Sequence, residues 1–198
     1  MVTNVELVTN FVKATSRLRL LAHCRNLNIS IDGWADEDNE ASQPLQQWVS
    51  AIQLWNNLGR ITLKVHFNTA TAVAWAACGL NKSKEQIEDD VAIDFMREYS
   101  NLHAGFLRGL FESKGIDFAM TLPFVTEDSH LQLRPATANF KAASWTLTDG
   151  HYEIRYSVET EFDDVLNADQ VREVLLSEVI DNSGIEPDTE GLVEFLIS

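Results

Sequence analysis

The residue pattern with the clearest chemical use is Glu98-Tyr99-Ser100-Asn101, with Gly105 four residues further on. It lies in the longest helical pattern of the chain, so Glu98 and Asn101 fall about 60° and one turn apart on the helix surface. A carboxylate suits a basic anchor on a partner, and a side-chain amide can both donate to a water molecule and accept from it. Gly105 lies one further turn along and leaves a notch beside them. The pattern predicts a contact site for one partner; the competing interpretation is that Glu98 and Asn101 merely solvate the helix.

Other patterns that could do chemistry are weaker. The five histidines lack the spacing of a zinc motif. Ser100 has no nucleophile-elbow sequence around it, and no glycine-rich phosphate loop is present. The acidic run Glu159, Glu161, Asp163 and Asp164 could imitate a metal cluster, although a solvated strand end is the favoured interpretation of such a run. We therefore expect no metal or other cofactor to be bound by this chain.

Charge and composition narrow the class of partner. The chain has 198 residues, 45% of them hydrophobic, and a formal net charge of −15. Residues 149–198 carry 14 acidic and 2 basic residues. Such acidity argues against nucleic acid and anionic membranes, because their phosphates require neutralising Lys and Arg. No apolar run is long enough to span a bilayer, no signal peptide is evident, and Cys24 and Cys78 stand alone. We expect a cytoplasmic protein.

Apolar residues at helical spacing predict four helices. They are an N-terminal helix with capping-box spacing between Thr3 and Glu6, an Ala-rich helix over 69–78 ended by Gly79, a long helix over about 87–113 ended by Lys114-Gly115, and a helix over 168–181. The apolar segment 192–197 could be a last helical turn or an edge strand. The long helix is expected to bury one stripe, formed by Val91, Phe95, Leu102, Phe106 and Leu110.

Alternating residues predict the strands. The first strand is predicted over 27–31. A hairpin follows, with strands over 48–54 and 60–67 around an Asn56–Gly59 turn that would use positive φ. A further strand is predicted over 116–125, and a second hairpin has strands over 138–148 and 151–161 around Asp149-Gly150. A helix starting near Trp48 is the alternative to the first hairpin. Asp36–Glu40 is expected to form an exposed acidic loop. The sum is an α+β fold with helices packed on a mostly antiparallel sheet.

The order of these elements carries a family resemblance. The pattern E-x-x-N-x-x-x-G at Glu98 to Gly105 lies in a long amphipathic helix, and a strand ending in Thr121-Leu122-Pro123 follows it. A hairpin and an Ala-rich helix precede it. This arrangement resembles the CheX/CheC-type chemotaxis phosphatases over about residues 47–161. The single motif favours the CheX type. Residues 1–46 and 162–198 lie outside the match, and we expect one domain over 1–198.

The resemblance implies a function and roles for the residues. It implies an enzyme that acts in trans on the aspartyl phosphate of a CheY-like receiver domain, with long helices packed on an antiparallel sheet. Asn101 would position the attacking water, Glu98 would pair with a receiver lysine, and Gly105 would admit the partner. The receiver would bring its own Mg²⁺. A non-catalytic receiver-binding adaptor or flagellar-switch-like module is the alternative.

The resemblance also implies an assembly. Some members form homodimers by pairing their sheets, and the strands at 138–161 are expected to offer long edges for this. The acidic segment 165–198 could instead cap that edge and leave a monomer.

Overall fold

The computed structural model describes residues 4–26, 29, 33–37, 46–113, 115–127, 140–148 and 151–162. The helices are α1 (Asn4–Asn26), α2 (Thr69–Leu80) and α3 (Asp89–Glu112), and a 3₁₀ turn covers Lys84–Gln86. The strands are β1 (Gly33–Glu37), β2 (Trp48–Trp55), β3 (Gly59–Phe67), β4 (Ala119–Met120), β5 (Phe124–Glu127), β6 (Phe140–Thr148) and β7 (Glu153–Phe162). The predicted helix over 168–181 and the segment 192–197 lie outside the described residues.

The described strands form a single antiparallel sheet. Its order is β1-β6-β7-β3-β2-β4, and β5 also pairs with β2. Both predicted hairpins are confirmed, and with them the α+β class: β2 pairs with β3, and β6 pairs with β7. The alternative prediction of a helix starting near Trp48 is wrong, because Trp48–Trp55 is strand β2. The expected open edge at 138–161 is only partly present: β3 covers β7 and β1 covers residues 144–148 of β6, while no described strand pairs with the outer edge of residues 140–143.

The β2–β3 turn uses its residues differently from the prediction. Asn56 caps the turn, since its Oδ1 accepts from Leu58 N at 2.9 Å and from Gly59 N at 3.1 Å. Among the described non-glycine residues, Asn81 is the one with positive φ, so the turn does not depend on that backbone region. Gly59 is needed for close approach instead: a Cβ there would lie 2.4 Å from Glu161 O on β7.

Three further expectations fail or shift. Asp36 and Glu37 belong to β1, where they pair with Trp145 and Ser144, instead of to an exposed loop. The single strand predicted over 116–125 is two short strands, β4 and β5, separated by a stretch that contains Pro123; a proline has no N–H to donate to a sheet. Helix α2 runs past Gly79 to Leu80, and Asn81, whose φ of 53° is left-handed, caps its C-terminus.

The two faces of the sheet differ in chemistry. One face carries Leu63, Val65, Tyr156 and Val158, all buried in the core under α1 and α3. The alternate residues of β3 and β7 point to the other face, yet Lys64, His66, Arg155 and Ser157 are also buried. Lys64 contacts Glu159, and His66 Nε2 lies 2.9 Å from Ser157 Oγ. Lys64, His66 and Ser157 on the polar face are therefore paired with neighbours on the same face.

A hydroxyl–hydroxyl bond fixes α3 over the centre of the sheet. Tyr156 of β7 donates its O–H to the Tyr99 oxygen of α3 at 2.7 Å, and both residues are buried. Burial raises the pKa of both phenols, so both stay protonated. Because Tyr99 lies between Glu98 and Asn101 in the chain, this bond fixes the rotation of the helix at the candidate site.

The Tyr99–Tyr156 pair predicts a non-additive double mutant. Tyr156→Phe leaves the Tyr99 hydroxyl buried without its donor, so it should lower the free energy of unfolding by about 1–3 kcal/mol. Tyr99→Phe should have a similar effect. The double Phe variant removes both polar groups and should cost less than the sum. Urea denaturation of the four proteins measures this, and strictly additive losses would show that the two hydroxyls do not depend on each other.

Candidate functional site

Helix α3 carries the candidate site. It begins at Asp89 and Asp90, whose carboxylates suit the positive end of the helix dipole. It ends where Ser113 N bonds to Gly109 O, and Gly115 then adopts a φ of +77°, which lets Ile116 N bond back to Phe111 O at 3.0 Å. The predicted glycine stop is confirmed. The helix is thus 24 residues long and can carry several functional groups along one face.

The buried stripe of α3 is not the predicted one. The structure buries Ala92, Met96, Tyr99, Ser100, His103, Ala104, Leu107 and Phe111. Of the predicted stripe, Val91 is 39% exposed and Leu102 is 51% exposed, while Phe95, Phe106 and Leu110 are half-buried. The true stripe is rotated by about 100°, one residue step of a helix. Small and polar residues at close helix contacts bury well, but they do not count as hydrophobic in a periodicity.

Glu98, Asn101 and Gly105 lie on one outward side of α3. Glu98 is exposed and Asn101 is half-buried, and Asn101 Nδ2 donates to Glu98 Oε2 at 3.3 Å. Gly105 is exposed, and a Cβ built there would meet nothing within 4 Å. No contact within the described part of the chain therefore requires glycine at this position, although glycine in a helix costs about 1 kcal/mol relative to alanine. The arrangement offers a partner one carboxylate oxygen, one amide and an open notch.

The residues that flank the motif on α3 lie on different sides of the helix. Arg97 Nη2 lies 2.9 Å from Asp94 Oδ1, and both side chains are exposed. Asp94 was missed from the sequence, although its position four residues before Glu98 puts it on the same side of α3. His103 points the other way, into the core, where its Nε2 lies 2.9 Å from Ser16 Oγ of α1. It therefore supports the helix and does not line the surface.

Two histidines lie under the site, His103 buried and His23 half-buried. Burial, with a smaller contribution from Arg19, lowers the pKa of His103 to about 3. The same causes lower the pKa of His23 to about 4. His23 packs against the rings of Tyr99 and Trp75, at 4.7 and 5.8 Å between centroids. Both imidazoles are neutral at pH 7 and serve as core groups between α1, α2 and α3.

His103 predicts a pH-dependent stability. An unfolded chain protonates this imidazole near its ordinary pKa of about 6.5, whereas the folded chain resists protonation down to about pH 3. The free energy of unfolding should thus fall as pH drops from about 6.5 towards 4. His103→Gln keeps a group that can bond Ser16 but cannot titrate in this range. Between about pH 6.5 and 5, wild type should lose about 1–2 kcal/mol more than this variant. Urea midpoints measure the difference, and parallel curves would contradict it.

The acidic residues near the end of β7 are weaker candidates for a functional site. Glu159 and Glu161 are ion-paired with Lys64 and Arg60 and do not form a cluster of free carboxylates. These two pairs line a cavity of about 350 Å³ on the sheet face opposite α3. Within the described residues, no group of three or more His, Cys, Asp or Glu side chains could hold a metal ion, and no helix is long and apolar enough to cross a membrane.

Known structures share this fold. A CheC-like superfamily protein from Shewanella sp. PV-4 is 14% identical with a TM-score of 0.60, covering 77% of this chain and 97% of that one. The chemotaxis protein CheX from Vibrio vulnificus is 13% identical with a TM-score of 0.60, covering 79% and 99%. A chain of the CheX–CheY–BeF₃–Mg²⁺ complex from Borrelia burgdorferi is 12% identical with a TM-score of 0.55, covering 80% and 99%.

Sequence comparisons add nothing to this. No family model and no curated protein matches the chain. The similarity to the three structures is therefore one of fold. The chain has the CheC/CheX-like α+β fold, as the element order around the Glu98–Asn101 motif predicted.

Proposed function

We propose that this protein is a cytoplasmic phosphatase that acts in trans on the aspartyl phosphate of a CheY-like receiver domain. The observation that carries the proposal is the pairing of Glu98 and Asn101 on an outward side of α3, with Asn101 Nδ2 3.3 Å from Glu98 Oε2 and the Gly105 notch one turn further on. The shared fold supports it, and so does the presence of CheY in the Borrelia burgdorferi complex.

The amide of Asn101 suits the hydrolytic step. Hydrolysis of an acyl phosphate needs a water held in line with the phosphorus–oxygen bond and little covalent help from the protein. An amide can accept a hydrogen bond from this water, and it stays neutral beside the anionic phosphate, which a second carboxylate would repel. Half-burial on a rigid helix limits the rotamers of Asn101, so the water would be held with little loss of entropy on docking.

Glu98 has two oxygens and can serve two purposes. Its Oε2 accepts from Asn101 and so orients the amide. Its Oε1 then remains for a lysine of the receiver. Because Glu98 is exposed, this lysine can reach it without entering the core. The carboxylate would thus anchor the partner and hold the amide at a constant angle to it.

Single substitutions should separate the two residues. Asn101→Ala should leave receiver binding nearly intact but lower kcat by about 10²–10³, because the water-positioning group acts in the transition state. Glu98→Ala should weaken docking by about 1–3 kcal/mol, and its deficit should shrink at saturating receiver. Glu98→Gln keeps an acceptor for Asn101 and removes the charge, so it should raise KM with a kcat close to that of wild type.

The experiment is a single-turnover decay of phosphorylated receivers from the same genome at several protein concentrations. Asn57→Ala, an exposed asparagine in the β2–β3 turn, is the matched control and should behave as wild type. None of these exposed or half-buried changes should alter the free energy of unfolding by more than about 0.5 kcal/mol. If Asn101→Ala hydrolyses as wild type while Glu98→Ala loses binding, the protein is a receiver-binding adaptor. If no receiver binds wild type, the proposed partner is wrong.

The metal should come from the receiver. Activity should require Mg²⁺ bound to the receiver's acidic site, since the described carboxylates of this chain are paired or dispersed. Isothermal titration of this protein alone with Mg²⁺ should show no tight stoichiometric site. Removing Mg²⁺ from the assay should abolish the catalysed decay. Tight binding of Mg²⁺ by the isolated chain would count against this division of the chemistry.

A further inference from the structure

Helix α3 has a second apolar stripe, which the fold leaves partly open. It consists of Val91, Phe95, Leu102 and Phe106, and we call it the outer stripe. Val91 and Leu102 are 39% and 51% exposed, and the two phenylalanines are half-buried. Four apolar residues at helical spacing form a connected surface, which is more informative than one exposed leucine. The core of the described domain is built mainly from the other stripe of α3. Of the outer stripe, Phe95 packs partly against that core, while Val91 and Leu102 remain exposed.

The outer stripe runs between the candidate site and α1. On one side, Arg19 of α1 lies over the Phe106 ring at 5.3 Å, and His23 lies 6.4 Å from the Phe95 ring. On the other side are Glu98 and Gly105. Leu102 follows Glu98 by four residues and precedes Gly105 by three, so it is a surface neighbour of both.

We infer that Leu102, with the outer stripe, is an apolar docking contact for the receiver, and that it sets which receivers bind. The inference rests on the proposed function. A partner that pairs with Glu98 meets Leu102 as well, because Leu102 lies four residues further along α3 and is a surface neighbour of Glu98. Asn101 flanks Glu98 on the other side, so a partner centred on Glu98 contacts all three side chains. The receiver should therefore carry an apolar side chain beside the lysine that pairs with Glu98. A receiver with a charged residue there would bury that charge against leucine and bind poorly.

Charge favours a receiver over a second copy of this chain. The exposed residues at the N-terminal half of α3 include Asp89, Asp90, Asp94 and Glu98, against one base, Arg97. A two-fold contact through this side would bring the acidic groups of the two copies together, and like charges at short range repel. A partner with a lysine beside an apolar residue has the complementary arrangement.

The test is a comparison of Leu102→Ala with wild type. Alanine is the best helix former, so α3 should be unaffected. Losing the contact should raise KM for the phosphorylated receiver, and the Kd for the receiver loaded with beryllium fluoride and Mg²⁺, by about 5- to 10-fold. The kcat should stay at the wild-type value, because Leu102 does not touch the reacting atoms. Leu102→Met should restore most of the affinity. Leu122→Ala, an 87% exposed leucine on the connection between β4 and β5, is the matched control and should change nothing.

The outcomes separate this inference from the function on which it rests. If Leu102→Ala binds as wild type while Glu98→Ala is weakened, the outer stripe is outside the interface and the inference fails, with the function intact. If wild type binds no loaded receiver, the proposed function fails first. If Leu102→Ala abolishes a concentration-dependent dimer seen by light scattering, the stripe holds a second copy and the inference is wrong. A KM effect confined to the Leu102 variants, in a monomer, supports it.

Discussion

The hydrogen bond between Tyr156 and Tyr99 is the contact on which the arrangement of the site depends. Tyr156 lies on β7, with two strands of the sheet on one side and four on the other, so its position is well determined by pairing. The hydrogen bond from Tyr156 to Tyr99 then fixes the position of α3 relative to β7. Edge-to-face contacts of Tyr99 with Trp75 and His103 support it, at 5.8 and 6.0 Å between centroids. Since Glu98 and Asn101 lie one before and two after Tyr99, their direction follows from this buried cluster.

Rotation of α3 decides which of its two apolar stripes becomes core. The stripe with Ala92, Ser100 and Ala104 has small side chains, which permit close approach, and the Tyr99 hydroxyl finds a partner only in that orientation. The outer stripe is larger and lacks any such polar partner. Burying it instead would leave Tyr156 with an unsatisfied hydroxyl, which costs about 1–3 kcal/mol in a core. A polar group in the core thus specifies a unique helix orientation, and the apolar remainder is left at the surface.

Much of the fold followed from local patterns, and the exceptions have physical reasons. The β2–β3 and β6–β7 hairpins are marked by clean alternation around turn residues. Strand β1 has no such alternation in Gly33–Glu37 and exists through its pairing with β6, more than 100 residues away in sequence. The shared side of Glu98 and Asn101 followed from helix geometry. The openness of Leu102 did not, because periodicity reports that a helix has an apolar stripe but cannot say which of two stripes meets the sheet.

If the proposed function is right, there is a chemical reason why Glu98 and Asn101 supply only part of a phosphatase site. A surface with its own metal cluster and several converging bases would hydrolyse phosphate esters of many kinds. Glu98 and Asn101 provide one charge, one amide and no strong nucleophile, so the phosphate, the metal and the general electrostatic stabilisation must all come with the receiver. Specificity then depends on docking, since the amide acts only where a partner fits the carboxylate, the notch and the apolar side of α3 at once. A rigid helix is suited to this, because an error of about 1 Å in the position of the amide would lose most of the rate.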